Sequence, residues 1–474
     1  MLVHPWIDNR PYKARGRQIE PITRPWDGRA IARIVLANEA DLDLAIAGAT
    51  RAFGLMRELP AHRRRSILLN TASLLRRERA SLGRLMAQDA GKPITLALAE
   101  IDRAVTTFTT AAEELRAFGG EVHPADVDPR GEGFVALSAR VPLGPISAIS
   151  PFNFPLNLVA HKVAPAIAVG SSMVLKAPPQ APLASFRLAA LLAEAGLPPG
   201  ALQVLHLPVP IAERLATDPV FAVLSFTGSD RVGWHLKSVS GRKRVLLELG
   251  GNAAAIVHED AEDLPVLAAR VAFAAFAYAG QVCIKIQRLL VHEPIATRFI
   301  RYLVAATRAL KTGNPLHPAT VVGPLIDQSA MERIQQWVAE AVEAGARPLL
   351  RGRRRGQVLA PTILDRVSPR MKVVSREAFG PVLTVQTYRT WDQALRMAND
   401  SIYGLQAGVF TRDASRVHRA FRQLEVGGVV VNDTPMLRLD HLPYGGVKAS
   451  GFGREGLREA MREMTDGRLL LWKP

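Results

Sequence analysis

A single cysteine, Cys283, occurs in 474 residues. One thiol leaves no partner for an intramolecular disulfide and no basis for a Cys-rich zinc site, so no metal is expected. It suits a reducing compartment, and a cytoplasmic location is expected. Long apolar runs are also missing. The longest, Val271 to Ala279, has nine residues and stops at Gly280, about half the ~18 residues of a membrane span. The first seventeen residues are polar and interrupted by proline, so no export signal is expected. Lysine is scarce, with 11 residues against 49 arginines, and the formal net charge is +17. The densest basic runs, Arg63 to Arg65 and Arg351 to Arg355, are too short to form arms, and the other arginines are dispersed. Neither nucleic acid nor a membrane is therefore an expected partner, although so basic a chain keeps a nucleic-acid-binding reading in play. There is no internal repeat and no low-complexity tract. Hydrophobic residues at 48% and charged residues at 22% are ordinary for a globular chain, and the length suits two to three domains.

The organisation changes along the chain. The first sixty residues read as short strands and turns. Arg63 to Gln88 carries apolar residues at helical spacing, and Ile101 to Phe118 reads as a second helix that stops at Gly119-Gly120. Glu121 to Arg140 is polar and rich in Pro and Gly, and reads as a hairpin excursion. From Ile146 short apolar strands alternate with helices: Ile146–Ser150, Met173–Lys176, Leu202–Leu207, Val223–Phe226 and Arg244–Leu247 are the expected strands. That alternation predicts an α/β fold with a parallel sheet covered on both faces. Such sheets bind ligands at the carboxyl ends of their strands. A second α/β stretch follows Gly250-Gly251. Arg347 to Gln357 reads as a basic Gly-rich loop, and Arg468 to Trp472 as a terminal strand.

Several strand ends carry groups with chemistry. Cys283 follows an apolar helix in Gly280-Gln281-Val282-Cys283. It reads either as a buried small hydrophobe or, with Lys285 two residues on to favour the thiolate, as a nucleophile. Glu248, before Gly250-Gly251, is a general-base candidate or a solvated strand end. Asn153 sits stiffly within Pro151-Phe152-Asn153-Phe154-Pro155, as an oxyanion donor or a helix cap. Phe226-Thr227-Gly228-Ser229 opens a helix and is a candidate phosphate site, and Lys176 at its strand end is placed to reach a ribose or a phosphate. Gly451-Phe452-Gly453-Arg454-Glu455-Gly456 spells a dinucleotide fingerprint. No clear apolar strand leads into it, however, and the chain ends 18 residues later, so no βαβ unit can follow.

Together these segments resemble the aldehyde dehydrogenase superfamily, the CoA-independent NAD(P)-linked enzymes. The resemblance runs from Trp26-Asp27-Gly28 to the terminal strand. It also takes in Leu247 to Asn252, Glu377-Ala378-Phe379-Gly380-Pro381 and Pro443-Tyr444-Gly445-Gly446-Val447-Lys448. It implies oxidation of an aldehyde to a carboxylic acid through a thiohemiacetal and a thioester on Cys283. Asn153 is implied as oxyanion donor and Glu248 as the base that activates water. Lys162 and Glu455 are counted with the catalytic groups, Glu455 near the proton exit. NAD or NADP is the implied cofactor, held by Ser150, Pro151, Phe152, Lys176, Pro179, Gly228, Ser229, Gly233, Trp234, Leu249, Glu377 and Phe379. Pro179 departs from the family pattern. NAD-preferring members often carry Glu there, and its loss removes repulsion of a 2′-phosphate.

Phe154, Asn157, Leu158, His161, Ile284, Leu437, Arg438, His441 and Tyr444 are the implied substrate residues, with Met436 beside them. Asn157, His161, Arg438 and His441 make this tunnel polar. A small polar or anionic aldehyde is therefore expected, of the lactaldehyde, glyceraldehyde or glyceraldehyde phosphate, succinic semialdehyde or phosphonoacetaldehyde type. The competing expectation for Arg438 and His441 is that they face solvent. A CoA-acylating semialdehyde dehydrogenase is the alternative activity, and the retained Glu248 argues against it. The implied architecture is a Rossmann-like cofactor domain (residues 1–120 and 143–249), an α/β catalytic domain (250–455) and an oligomerisation sheet built from segments 121–142 and 456–474. A homodimer or homotetramer is the implied assembly.

Overall fold

A computed structural model describes residues 1–13 and 16–474. Two parallel-stranded sheets dominate it. In the first, five parallel strands lie in the spatial order Arg244–Glu248, Val223–Thr227, Ile146–Ile149, Met173–Lys176, Leu202–Leu205. The chain starts in the middle at Ile146, builds outward to Leu205, then returns to the other side of the starting strand. The reversal between Ile146–Ile149 and Val223–Thr227 is a topological switch point, where diverging loops leave a crevice at the carboxyl ends. Gly451–Phe452 closes one edge by pairing antiparallel with Leu247 and Glu248. The fingerprint-like Gly451–Gly456 segment is thus an edge strand and a turn, followed by the seven-residue helix Leu457–Glu463.

The second sheet has seven strands, ordered Arg347–Leu350, Thr362–Asp365, Val382–Tyr388, Arg288–His292, Ala254–Val257, Gln406–Phe410, Gly428–Val431. Both sheets carry helices on their faces, and their central strands are buried end to end, which is why they read as continuous apolar runs. The helix Asn157–Val169 is buried along its whole length. A helix apolar nearly all round belongs inside, and its few polar residues, Asn157, His161 and Lys162, are carried into the interior with it.

Three elements differ from the sequence reading. Glu39–Glu58 is a helix within the region expected to hold only strands and turns. It starts with a capping box between Asn38 and Asp41, and it buries Leu42, Ala45, Ile46, Ala49, Ala52 and Met56 on one face. The helix expected over Arg63–Gln88 is two helices, Ala61–Arg77 and Arg79–Asp89, broken at Glu78. Within the basic loop Arg347–Gln357, Arg347–Leu350 is an edge strand, held by pairing with Thr362–Asp365. Tertiary pairing decides that edge against its weak intrinsic signal.

A third sheet joins distant parts of the chain. Thr465–Trp472 pairs with Val135–Pro142 over its full length, and Glu121–His123 lies on the other side. Every residue from Asp466 to Trp472 is exposed. No helix among the described residues is long and apolar enough to cross a membrane.

Candidate active site

The chain before Cys283 is bent into an unusual shape. Tyr278, Ala279 and Gly280 have φ of 54°, 54° and 70°, three left-handed residues in succession. The two non-glycine residues cost of order 1–3 kcal/mol each, and the surroundings must hold them there. Tyr278 donates its hydroxyl to the Ala90 carbonyl at 2.9 Å. The Gln281 side chain donates to the carbonyls of Tyr278 and Pro324, both at 3.2 Å, and accepts from the Ile326 N–H at 2.9 Å. At Gly280 a Cβ would lie 2.3 Å from the Gly380 carbonyl oxygen, so only glycine fits. The half-buried Cys283 thiol emerges from this bend into an apolar cluster with Phe152, Phe154, Ile284, Leu405, Met436 and Tyr444. Its Sγ lies 3.7 Å from the Tyr444 hydroxyl. Burial, and then the Glu377 charge, push the thiol up to about 11. The resting group is a thiol, not a thiolate. Lys285 does not supply the activating charge expected of it. Its ammonium is turned away, donating to the Val382 carbonyl at 2.8 Å, and burial brings it down to about 7.

Asn153 faces the same bend. Its Nδ2 donates to the Gln281 carbonyl at 3.1 Å, which uses one of its two N–H bonds. Buried Lys92 holds the loop from behind, donating to the Asn153 carbonyl at 2.9 Å and to Glu100 at 2.5 Å. Glu100 in turn accepts from the N–H groups of Leu156 and Asn157, both at 2.9 Å, at the start of the helix Asn157–Val169. A carboxylate at a helix N-terminus is favoured by the helix dipole. The amide is therefore fixed by a buried ion pair and is suited to donate to an oxyanion.

Glu248 ends its strand fully buried, and its Oε2 has no hydrogen-bond partner among the described residues. Burial, and then the nearby Glu455 charge, push its carboxyl well above the usual range. Glu455 goes the other way. Burial opposes its ionisation, but Lys162 and Arg438 outweigh that and hold it below the usual range. The two carboxyls are thus pushed in opposite directions, the arrangement in which acid and base roles can be divided. Lys162 donates to Thr227 at 2.7 Å and Ser225 at 3.0 Å, and lies 3.4 Å from Glu455. Arg438 donates to Glu455 at 3.0 Å, and its guanidinium carbon lies over the Tyr444 ring, 3.7 Å from its centre. Asp440 ties the cluster to a distant helix. It contacts Arg438 at 3.6 Å and His161 Nε2 at 2.8 Å, and it accepts a two-pronged bond from Arg103 at 2.7 and 2.9 Å. Burial of Asp440 is outweighed by His161 and Arg103, and its carboxyl is held far below the usual range.

The crevice at the switch point lies alongside. Helix Asp230–Val239 begins after Ser229, whose side chain makes no capping bond, so the helix N-terminus stays open to an anion. Lys176 is buried, with no hydrogen-bond or ion-pair partner among the described residues, and burial brings it down to about 8. Pro179 is exposed beside it. Glu377 accepts from the Gly251 N–H at 3.0 Å; burial, against that bond, raises it to about 7. A Cβ on Gly250 would lie 2.3 Å from a Glu377 oxygen, so a larger residue there would push the carboxyl aside. Phe379 has φ of 45° and meets Phe152 edge-on at 5.9 Å. Gln287 anchors the Glu377 segment, donating to the carbonyls of Val373 and Arg376 and accepting from the Ala378 N–H. An open helix start, an unpartnered ammonium and an inward carboxyl at a switch point fit a dinucleotide.

Residues 12–469 match the sequence profile of the aldehyde dehydrogenase family. The chain belongs to that family. It is 42% identical over 441 residues to the 3-sulfolactaldehyde dehydrogenase of Priestia aryabhattai, covering 93% of this chain and 92% of that one. Aldehyde dehydrogenase 21 of Physcomitrella patens, solved with its reaction product succinate, superposes with a TM-score of 0.96 at 38% identity, covering 99% and 98% of the two chains. The NADP-dependent glyceraldehyde-3-phosphate dehydrogenase of Bacillus halodurans, solved with NADP, gives 0.96 at 33%, covering 100% and 99%. The chain is an NAD(P)-dependent aldehyde dehydrogenase.

In this aldehyde dehydrogenase the remaining residues named from sequence divide into two groups. Asn157, Leu158, His161 and Ile284 are buried. Asn157 accepts from the Thr107 hydroxyl at 3.0 Å and points its amide at Asp440 at 3.4 Å. Leu437 and His441 are exposed on their loop, away from the buried cluster. Arg438 does not face solvent, but its charge is taken up by Glu455 and Asp440. Ser150 is buried, and Gly233 packs so tightly that a Cβ would meet Leu249. Trp234 donates to the Ala449 carbonyl at 3.3 Å. Lys92, Glu100, Arg103 and Asp440 were not legible as site residues. Each lies in an ordinary helical or loop context, and only the fold brings it to the cysteine.

Proposed function

We propose that this dehydrogenase oxidises a small aldehyde bearing an anionic group at its far end. The observation that carries this reading is the placing of Arg103. It is the partly exposed member of a basic cluster with Arg438 and Lys162, pairs with Asp440, and stands beside the Phe154 ring in the apolar cluster of the cysteine. The named relatives support it: sulfolactaldehyde, glyceraldehyde 3-phosphate and the aldehyde that yields succinate all end in an anion.

The proposed chemistry follows from the groups described. Cys283 gives up its thiol proton to solvent water, and the thiolate adds to the aldehyde carbon to make a C–S bond and an oxyanion. The second Asn153 amide N–H and the Cys283 backbone N–H, which has no acceptor among the described residues, receive that oxygen. When bound, NAD or NADP supplies the hydride acceptor. Its nicotinamide end is assigned to Glu377 and Phe379, its pyrophosphate to Gly228 and Ser229, and its adenosine ribose to Lys176. The acyl group is left on sulfur as a thioester. Glu248, once ionised, removes a proton from water, which attacks the thioester carbon; the C–S bond breaks and the thiolate returns. Glu455, with Lys162, is the next acceptor on the way out. The cofactor, catalytic and oligomerisation segments are assigned as residues 1–120 with 143–249, 250–455, and 121–142 with 456–474.

Five outcomes test these assignments. In a panel of aldehydes, succinic semialdehyde and sulfolactaldehyde are expected to outrank propanal in kcat/KM. Arg103→Ala is expected to raise KM about ten- to hundredfold for the anionic aldehydes, the loss of one charged hydrogen bond. An equal rise for propanal would remove Arg103 from recognition. NADP is expected to be accepted alongside NAD, since no carboxylate stands at Pro179. Lys176→Ala should raise KM for NADP more than for NAD, and matching changes would count against a phosphate contact. The exposed strand Thr465–Trp472, with Leu469, Leu470, Leu471 and Trp472 all open, is too apolar an edge to stand alone. Light scattering is expected to give twice or four times the chain mass, and a monomer at micromolar concentration would refute the assembly.

A further inference from the structure

His258 and His292 meet at the far end of the second sheet from Cys283. The parallel strands Ala254–Val257 and Arg288–His292 are in register at Val257 and Val291, so the next residue on each brings the two imidazoles together. Their ring centroids are 4.3 Å apart at 31°. Trp391 lies 5.6 Å from the His258 ring, and Tyr388 stacks on His292 at 5.1 Å. The His292 Nε2–H donates to the Arg389 carbonyl at 3.2 Å. That bond leaves Nδ1 as a bare lone pair, the arrangement typical of metal-binding histidines. Nδ1 is 3.7 Å from a Glu259 oxygen. His258, with a side chain only 5% exposed, brings its Nδ1 to 3.3 Å from Asp260 Oδ1. None of His258 Nδ1, His292 Nδ1 and Asp260 Oδ1 has a hydrogen-bond partner among the described residues. Buried polar atoms left without partners call for a missing group.

We propose that His258, His292 and Glu259 bind a divalent d-block cation of the zinc type, with Asp260 Oδ1 or water as the fourth donor. The three donor atoms already lie within 4.8 Å of one another. A tetrahedral zinc site spaces its donors by roughly 3.3 Å, so the set must close by at most about 1.5 Å. Glu259 is half-exposed and free to swing inward. Arg416 is the opposing charge nearby, but it is held on the other Asp260 oxygen at 3.2 Å, as are the Thr411 hydroxyl and the Arg412 N–H. The cation would clip two adjacent strands to the loop after Val257. A whole strand separates the site from the cysteine, so its role is structural.

The test uses the full-length chain with Cys283→Ala, which removes the competing thiol. After chelator treatment it is titrated with Co(II), then with Zn(II). One Co(II) per chain is expected, with visible ligand-field bands that Zn(II) displaces, and a higher Tm with Zn(II). His292→Gln should abolish the bands, and Glu259→Gln should weaken binding by at least about tenfold. Should His292→Gln fail to fold, the half-exposed Glu259 variant decides alone. Absence of saturable binding at micromolar metal, or binding unchanged by these substitutions, overturns the proposal.

Discussion

Cys283→Ser is expected to lower kcat/KM for aldehyde oxidation by at least about 10⁴-fold, while binding of NAD or NADP stays within a few-fold of the parent. The reason lies in how much of the site serves this one atom. Two strained residues, the Gln281 bonds and a glycine pressed against Gly380 all set the direction of the thiol. The thiol already resists ionisation in this apolar cluster, where burial pushes it up to about 11. A serine hydroxyl starts far higher and would remain un-ionised. The Asn153 amide would still be in place but would have no oxyanion to receive. Stopped-flow measurement of NAD(P)H formation checks this. A serine variant that oxidises aldehyde within tenfold of the parent would show that covalent attack by sulfur is not the route.

Glu248→Gln is expected to slow steady-state turnover by about 10²–10⁴-fold, the usual range for a general base, yet to keep a first-turnover burst of NAD(P)H. The burst reports formation of the thioester, and only its hydrolysis needs the base. The pH dependence gives a second signature. Burial and the Glu455 charge raise the Glu248 carboxyl well above the usual range. A base works only when deprotonated. Hydrolysis should therefore rise with pH until Glu248 has ionised, at a higher pH than an ordinary glutamate would require. In the glutamine variant that rising limb should disappear from kcat. Loss of the burst together with turnover would move Glu248 to activation of the thiol. Acyl-CoA formation on adding CoA would instead favour the acylating alternative.

The two histidines show most directly where sequence reading stops. His258 and His292 are 34 residues apart, with nothing in their spacing to link them. They meet because parallel strands set side by side share a register. The same holds for Arg103 and Asp440, which are 337 residues apart and form a paired contact. In sequence Arg103 is one more arginine on an amphipathic helix, in a chain with many. Glu39–Glu58 was missed for a different reason. Its buried face mixes Leu42, Ile46 and Met56 with Ala45, Ala49 and Ala52, and the small residues dilute the apolar signal along the chain.

Local chemistry is readable along the chain. Strands of the parallel core announced themselves because strands buried on both faces are uniformly apolar. The motif residues at the strand ends were legible because glycines and prolines mark the turns where backbone must approach a ligand. Those features identified the fold class, the family, and Cys283, Glu248 and Asn153 as the residues to test. Burial and neighbours from distant parts of the chain set the direction in which each of these groups is shifted. The tertiary structure made the cysteine a resting thiol, separated Glu248 from Glu455, and turned Lys285 away from the sulfur. A charge's behaviour depends on burial and on neighbours brought from elsewhere in the chain, and neither is written in the residues beside it.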